Sequence, residues 1–224
     1  TCTMEWPAQA NAQIIEEVRR EEKKRKAIYL RLLARGRESQ GKVLEAFDTY
    51  LKIASLAVEA DLDSVIEETG LRATPDVWAR GRIAAMVSKA DATSRAELEK
   101  RVSCRWTEMK SQNAPIVELR KFAQVFGSML ESGRSAQFEL AKRLALDGSA
   151  SGFLQAEQDL MNLQQFASSP SQAGEALVEL AELYLAKGLS DDAAELYRLI
   201  AQKYADTQIR GRSGSEWLAQ AWSD

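Results

Sequence analysis

Three glutamates have the type and spacing of a binding surface. Glu175, Glu179 and Glu182 are separated by four and three residues within a segment of helical periodicity, so their carboxylates share one outer face of a helix. Such a face could receive a basic peptide, and the same spacing is also typical of an ordinary solvated surface. We predict a partner-binding role for these glutamates, with the solvated face as the alternative.

Catalytic side chains are scarce in this sequence. The chain has no histidine, which excludes Ser-His-Asp and Cys-His nucleophiles and the HExxH zinc site. Its two cysteines, Cys2 and Cys104, are too few for a disulfide framework or a zinc knuckle. Arginines beside Cys104 could make its thiol reactive, although we expect a half-buried structural cysteine. We therefore predict a non-enzymatic protein with no cofactor and no metal.

Two tryptophans lie near the end of the sequence, in a short predicted helix. Trp217 and Trp222 share this helix with Leu218, and an apolar face at the end of a helical stack is usually a cap. The alternative is a contact with a following domain or another subunit. On that alternative both tryptophans are candidate partner-binding residues.

The composition favours a mainly helical chain with a sizeable core. Its 224 residues are 45% hydrophobic and 28% charged, with only four prolines. A net charge of −3 gives no global attraction to nucleic acid, so we expect no nucleic-acid partner. No apolar run approaches the roughly 20 residues of a membrane-spanning helix, so we expect no membrane insertion.

The N-terminal region combines a short alternating segment with a long charged helix. Residues 1–7 alternate apolar and polar side chains, which predicts an extended arm or the remnant of a neighbouring domain. A helix is predicted at 8–37, with apolar residues near both ends and the run RREEKKRK between them. Glutamates placed four residues before a basic residue, such as Glu21 before Arg25, indicate a solvated helix. A phosphate-binding patch is the alternative, but the neighbouring glutamates weaken its field.

Further periodic segments follow this first helix. Helices are predicted at about 42–60, 75–90, 94–110, 115–130, 135–147, 152–167, 172–187, 190–205 and 213–222. An irregular stretch is expected around 61–76, where Thr74 and Pro75 start the next helix, and the glycines of 211–215 indicate a turn. We divide the chain into an N-terminal helical part with degenerate repeats, 8–130, and C-terminal hairpins with a capping helix, 131–224.

One spacing of small and aromatic residues occurs twice. The copies are Gly41, Ala46, Tyr50, Ile53, Ala54 and Gly188, Ala193, Tyr197, Ile200, Ala201. Small residues let two helices approach closely, and the tyrosines fill the space beside the contact. The second copy resembles the tetratricopeptide repeat. This resemblance implies an all-α solenoid of stacked antiparallel helical hairpins, in which the face of the three glutamates lines the concave groove.

Longer segments resemble a more particular family. GFLQAEQDLMNL, ELYLAKGLSDDAAELYRLIAQKYAD and TPDVWARGRIAAM are similar to the helical part of large bacterial proteins that also carry a PQQ-type β-propeller. The resemblance implies a scaffold in the cell envelope or periplasm that binds a peptide segment, a neighbouring β-propeller domain or other subunits. No propeller repeat lies in this chain, so PQQ chemistry is not transferred to it. The alternative is a structural subunit of an oligomeric cell-envelope assembly, with contacts through the first helix and the terminal tryptophans.

Overall fold

Helices make up almost all of the structure. The computed structural model describes residues 8–60, 66–68, 71–127 and 129–221, and it places ten α-helices in them. They are α1 (Ala8–Ser39), α2 (Val43–Ala60), α3 (Pro75–Lys89), α4 (Ala92–Ser111), α5 (Ile116–Phe126), α6 (Glu131–Leu146), α7 (Ala150–Gln165), α8 (Pro170–Ala186), α9 (Ser190–Lys203) and α10 (Gly214–Ala221). The predicted all-α class is confirmed, whereas the predicted arm at 1–7 lies outside the described residues.

Two short antiparallel hairpins interrupt the helices. Strand β1 (Ile66–Glu68) pairs with β2 (Leu71–Ala73), and β3 (Gln208–Ile209) pairs with β4 (Arg212–Ser213). The sequence predicted an irregular stretch around 61–76, in which the described residues instead pair as β1 and β2. It predicted a turn at 211–215, whereas the turn lies at Arg210 and Gly211, between β3 and β4. Strands of two or three residues are too short to show the alternation by which a strand is recognised in a sequence.

The first compact unit comprises Thr1–Leu98 and ends within α4. In this unit α1 packs on α2, and α2 packs on α3. Tyr50 of α2 is fully buried and lies edge-on to Trp78 of α3, with 5.5 Å between the ring centroids. Trp78, Ile83 and Met86 of α3 are also buried.

A polar network joins the three helices of this unit. The carboxylate of Glu38 accepts hydrogen bonds from the Tyr50 hydroxyl (2.6 Å) and from Nη2 of Arg82 (2.5 and 2.6 Å). Burial alone would raise the pKa of Glu38, but the hydrogen bonds from Arg82 and Tyr50 outweigh it and hold that pKa below its usual value. Burial and the Glu38 carboxylate raise the pKa of Tyr50 to about 12. The network therefore favours a charged glutamate and a neutral tyrosine.

The second compact unit, Glu99–Asp224, is built by sequential packing. Each helix from α5 to α9 packs on the next helix along the chain, and the series ends with α10. Ala181 of α8 and Ala193 of α9 are fully buried in one cluster with Tyr197, which matches the predicted contact of small residues beside a tyrosine. The finer arrangement as a tetratricopeptide-like solenoid stays a prediction. So does the division after residue 130, which was based on the regularity of the repeats.

Two helix starts differ in how they are capped. Helix α3 begins at Pro75 after an extended Thr74, as predicted, but the Thr74 hydroxyl makes no capping hydrogen bond. Helix α6 begins at Glu131, before the predicted start at 135. The Glu99 carboxylate accepts hydrogen bonds from the backbone nitrogens of Glu131 (3.1 Å) and Ser132 (2.9 Å), which satisfies the helix N-terminus. A cap that comes from α4 leaves no local signal in the sequence.

Candidate functional site

A hairpin seated on α8 brings the candidate site together. Ile209 of β3 is fully buried against Gly174 of α8, where an added Cβ would lie 2.3 Å from Ile209 Cδ1. The Ser171 hydroxyl donates a hydrogen bond to the carbonyl of Gln208 (2.7 Å), and the Trp217 indole Nε1 donates one to the carbonyl of Ile209 (3.0 Å). The absence of a side chain at Gly174 therefore lets β3 lie directly on α8.

Arg210 occupies the turn of this hairpin in an uncommon backbone conformation. The φ of Arg210 is 50° and that of Gly211 is 81°. Both angles are positive, as they are at the two central residues of a type I′ hairpin turn. A residue with a side chain loses roughly 1 kcal/mol in this region. The buried Ile209 and the bonds of the Arg210 side chain offset this loss.

Arg210 bridges the three glutamates predicted to bind a partner. Its Nε donates to Glu175 (3.4 Å), its Nη1 donates to Glu182 (3.1 Å), and its Nη2 donates to Glu179. Lys142 of α6 places a second cation 3.5 Å from Glu179. The Glu179 side chain is only 12% exposed, compared with 42% for Glu175 and 43% for Glu182. The cluster is therefore centred on Glu179.

The electrostatics of this cluster stabilise the arginine. Burial alone would lower the pKa of Arg210, but its hydrogen bond to Glu179 and the charges of Glu179 and Glu182 raise that pKa above its usual value. The guanidinium is thus a permanent counter-ion for the glutamates. A basic peptide would reach this face only in competition with Arg210.

A cleft of about 370 Å³ opens beside the cluster. Residues of α4, α6 and α8 line most of it, including the rings of Trp106 and Phe138. The Lys142 ammonium lies 5.4 Å and the Arg210 guanidinium 5.9 Å from the centroid of the Phe138 ring, within the range of cation–π attraction. The cleft and the glutamate cluster share Glu175 and Lys142, so they form one continuous surface.

The charged lining of the cleft is more basic than acidic. Its charged residues are Lys110, Arg134, Lys142, Glu139 and Glu175. Both acidic residues already have partners, since Glu139 accepts a hydrogen bond from Arg143 (2.8 Å) and Glu175 accepts one from Arg210. Lys142 is paired with Glu179 as well, so the charges left for a ligand are those of Lys110 and Arg134.

Two of the basic residues have unused hydrogen-bonding capacity. Lys110 has no ion-pair partner among the residues that the structure describes. Arg134 donates from Nη2 to the Ser168 hydroxyl at 3.5 Å, and its Nε is buried without a hydrogen-bond partner. A carboxylate or a backbone carbonyl in the cleft could accept hydrogen bonds from the Lys110 ammonium, whereas the buried Nε of Arg134 is out of its reach.

Of the two tryptophans predicted to contact a partner, Trp217 is not among the residues that line this cleft. Trp217 is 9% exposed in a core cluster with Ile209, and the Arg212 guanidinium lies 5.0 Å from its ring centroid. The chain itself thus covers this indole, as expected of a capping residue. Trp222 lies outside the described residues. Cys104 is exposed, whereas a half-buried cysteine was expected.

Sequence reasoning missed Arg210 because the hairpin gives little local signal. A clearer signal lies just after it, since Ser213 and Glu216 form a reciprocal capping box. The backbone nitrogen of Ser213 donates to the Glu216 carboxylate (2.6 Å), and the backbone nitrogen of Glu216 donates to the Ser213 hydroxyl (3.3 Å). This Ser-x-x-Glu spacing would have placed the start of α10 at Gly214 and left 208–213 for a hairpin.

Comparison with known proteins does not identify a relative. No family model, curated protein or solved structure matches the chain. The resemblance to propeller-linked helical segments therefore rests on the quoted sequence segments alone. Within the described ranges, no group of three or more His, Cys, Asp or Glu residues is placed to hold a metal ion.

A helix that crosses a membrane must be both long and apolar. None of the described helices combines the length and the apolar character that crossing a membrane requires.

Proposed function

We propose that this chain is a non-enzymatic helical-repeat scaffold that binds a segment of a partner protein in the cleft lined by α4, α6 and α8. The observation that carries the proposal is the pairing of two aromatic rings, Trp106 and Phe138, with the basic residues Lys110, Arg134 and Lys142. Aromatic side chains supply large contact area at binding sites, and a few polar groups fix the orientation of the ligand.

The dimensions of the cleft favour an extended segment. Its volume of about 370 Å³ is near the lower end of the roughly 300–1,000 Å³ typical of ligand sites. A few side chains of a partner fill such a space, whereas a folded domain does not enter it. The Lys110 ammonium at the cleft favours an acidic side chain, and the rings favour an apolar neighbour. The sequence resemblance suggests where this segment comes from. Its source would be a neighbouring β-propeller domain or another subunit.

The three glutamates support this site indirectly. By binding Arg210 they hold its guanidinium 5.9 Å from the Phe138 ring. Arg210 and Lys142 thus both stay within cation–π distance of the Phe138 ring, which supports one wall of the cleft. The predicted direct binding of a basic peptide by Glu175, Glu179 and Glu182 would require Arg210 to leave.

A peptide selection tests the proposal. We would select peptides from a random displayed library on the immobilised 224-residue chain and measure their affinities in solution by fluorescence anisotropy. The selected peptides should combine acidic with apolar residues. The substitution Lys110→Glu should weaken their binding at least about tenfold, because it opposes like charges at the cleft.

Lys121→Glu is the matched control, because it makes the same charge change at an exposed position of α5 that is not part of the cleft lining. Its affinity should equal that of the wild type. Selection of mainly basic peptides, or equal effects of the two substitutions, would contradict the proposed site.

A further inference from the structure

Helix α1 carries an apolar stripe that its own unit leaves uncovered. Its packing face toward α2 consists of Ala27, Leu30 and Ala34, which are all buried. Other apolar residues of the same helix remain about half exposed or more: Ile14 49%, Ile15 52%, Val18 53%, Ile28 53%, Tyr29 62% and Leu32 63%. These residues form two exposed apolar blocks, at 14–18 and at 28–32, and exposed apolar patches are typical of surfaces that contact another molecule.

The spacing along this stripe is that of a coiled-coil seam. Positions 14, 18, 21, 25, 28 and 32 alternate steps of four and three residues, which is the heptad pattern of two apolar positions per seven residues. Four of these positions are apolar. The central two are Glu21 and Arg25, so the seam has an apolar block at each end and one pair of opposite charges in the middle. It runs for about 27 Å along the helix.

The order of the charges selects one arrangement of two identical helices. In a parallel pair Glu21 would face Glu21 of the second copy, and Arg25 would face Arg25, so like charges would meet at the centre. In an antiparallel pair with its two-fold axis midway between these positions, each Glu21 faces Arg25 of the other copy. Ile14 then lies opposite Leu32, and Val18 lies opposite Ile28. The apolar blocks and the charges match simultaneously only in the antiparallel register.

Glu21 can accept this second donor. In one copy its carboxylate already takes a hydrogen bond from Lys24 at 2.9 Å, and 53% of the Glu21 side chain is exposed. A carboxylate has acceptor sites for more than one donor. The contact within one helix and the contact between copies are therefore compatible.

We propose that two copies of this chain associate through α1 as an antiparallel coiled coil with the seam Ile14, Val18, Glu21, Arg25, Ile28 and Leu32. This association is independent of the cleft in the second unit. A dimer would carry two copies of the cleft. Whether the dimer forms does not depend on what the cleft binds.

Sedimentation velocity over a concentration series tests the association with the full chain. The wild type should shift from monomer to dimer as its concentration rises. Glu21→Arg and Arg25→Glu should each raise the dimer dissociation constant at least about tenfold, because each opposes like charges at both symmetric positions of the seam. The double substitution Glu21→Arg with Arg25→Glu should restore the affinity, because opposite charges face each other again.

Two further variants keep the test decisive. Ile28→Asp with Leu32→Asp should give a monomer with unchanged helical circular dichroism, since both side chains are exposed within one copy. Leu154→Asp alters an apolar residue of α7 that is 61% exposed and should leave the dimer intact. A wild type that stays monomeric, or a dimer that survives the α1 variants, would overturn the proposal.

The outcome of the charge exchange also identifies the register. If the single substitutions leave the dimer unchanged, like charges already meet at the seam and the antiparallel arrangement is wrong. A monomeric wild type that instead sediments with phosphatidylserine vesicles, and loses this binding on Ile28→Asp with Leu32→Asp, would replace the second copy with a membrane surface.

Discussion

Replacing Arg210 is the perturbation that most directly tests how the site is held. Arg210→Ala removes the three bonds to Glu175, Glu179 and Glu182 and leaves a residue with a side chain at a φ of 50°. Arg210→Gly removes the same bonds but relieves the backbone, because glycine adopts positive φ at little cost. The difference between the two variants therefore isolates the strain of the turn.

The structure sets the expected magnitudes. The partners Glu175 and Glu182 are 42% and 43% exposed, so each pair is worth a few tenths of a kcal/mol. Glu179 is 12% exposed, and a charged hydrogen bond to such a group contributes about 1.5 kcal/mol. Arg210→Ala should thus lower the free energy of unfolding by about 2 kcal/mol, and Arg210→Gly by about 1 kcal/mol, since the glycine recovers roughly 1 kcal/mol of strain.

Urea unfolding measures these differences. With a slope of about 2 kcal/mol per molar urea, Arg210→Ala should lower the midpoint by about 1 M. Tryptophan fluorescence reports on the second unit through the buried Trp217. Arg198→Ala is the control, because Arg198 pairs with the 73% exposed Glu195 and its loss should change the stability by less than about 0.5 kcal/mol. Equal losses for the alanine and glycine variants at position 210, or none for either, would refute the reasoning.

Three further perturbations act on the hairpin and on the polar network of the first unit. Gly174→Ala places a methyl group 2.3 Å from Ile209 Cδ1 and should lower the free energy of unfolding by about 1–3 kcal/mol. Adding Ile209→Val removes Cδ1, so the double variant should recover part of the lost stability. Trp217→Phe removes the 3.0 Å hydrogen bond to the Ile209 carbonyl and should destabilise by about 1 kcal/mol in urea unfolding followed by circular dichroism, since the variant lacks the fluorescent reporter. Because the pKa of Glu38 is lowered in the folded state from 4.5, its stabilising effect is present above pH 4.5 and is lost as the pH falls through the folded-state pKa. Acid unfolding followed by circular dichroism should therefore be less steep for Glu38→Gln than for the wild type.

Each of these expectations has a contradicting result. If the losses in free energy of unfolding caused by Gly174→Ala and by Ile209→Val simply add in the double variant, the two residues do not share one contact. An unchanged midpoint for Trp217→Phe would mean that the indole does not hold the hairpin. Identical acid-unfolding curves for Glu38→Gln and the wild type would contradict a lowered pKa for Glu38.

The sequence predicted the helices of the second unit well because their packing follows a local period. In α8 and α9 the apolar residues recur at helical spacing, and buried alanines mark the contact. Gly188, the first residue of the repeated spacing, lies between them with a φ of 75°, a conformation that glycine adopts most easily. In such segments the tertiary contact lies between neighbours in the chain, so the sequence carries it.

The site could not be predicted in the same way because its contacts are not local. Arg210 reaches glutamates that lie 28 to 35 residues earlier, and no spacing rule connects a two-residue turn to a helix at that separation. The start of α6 was mispredicted for the same reason, because the residue that caps it, Glu99, lies about 32 residues earlier in the chain. The glutamates were recognised from their spacing, whereas their partner was not.

The most direct test of the central claim is the response of the tryptophan indole signals to a selected peptide. Trp106 lines the cleft, while Trp217 is buried beneath the hairpin, so their ¹H–¹⁵N indole resonances, assigned by Trp→Phe substitution, report on different places. Binding in the cleft predicts a saturable shift of the Trp106 resonance and a stationary Trp217 resonance. A saturable shift at Trp217 with none at Trp106 would contradict the proposed site.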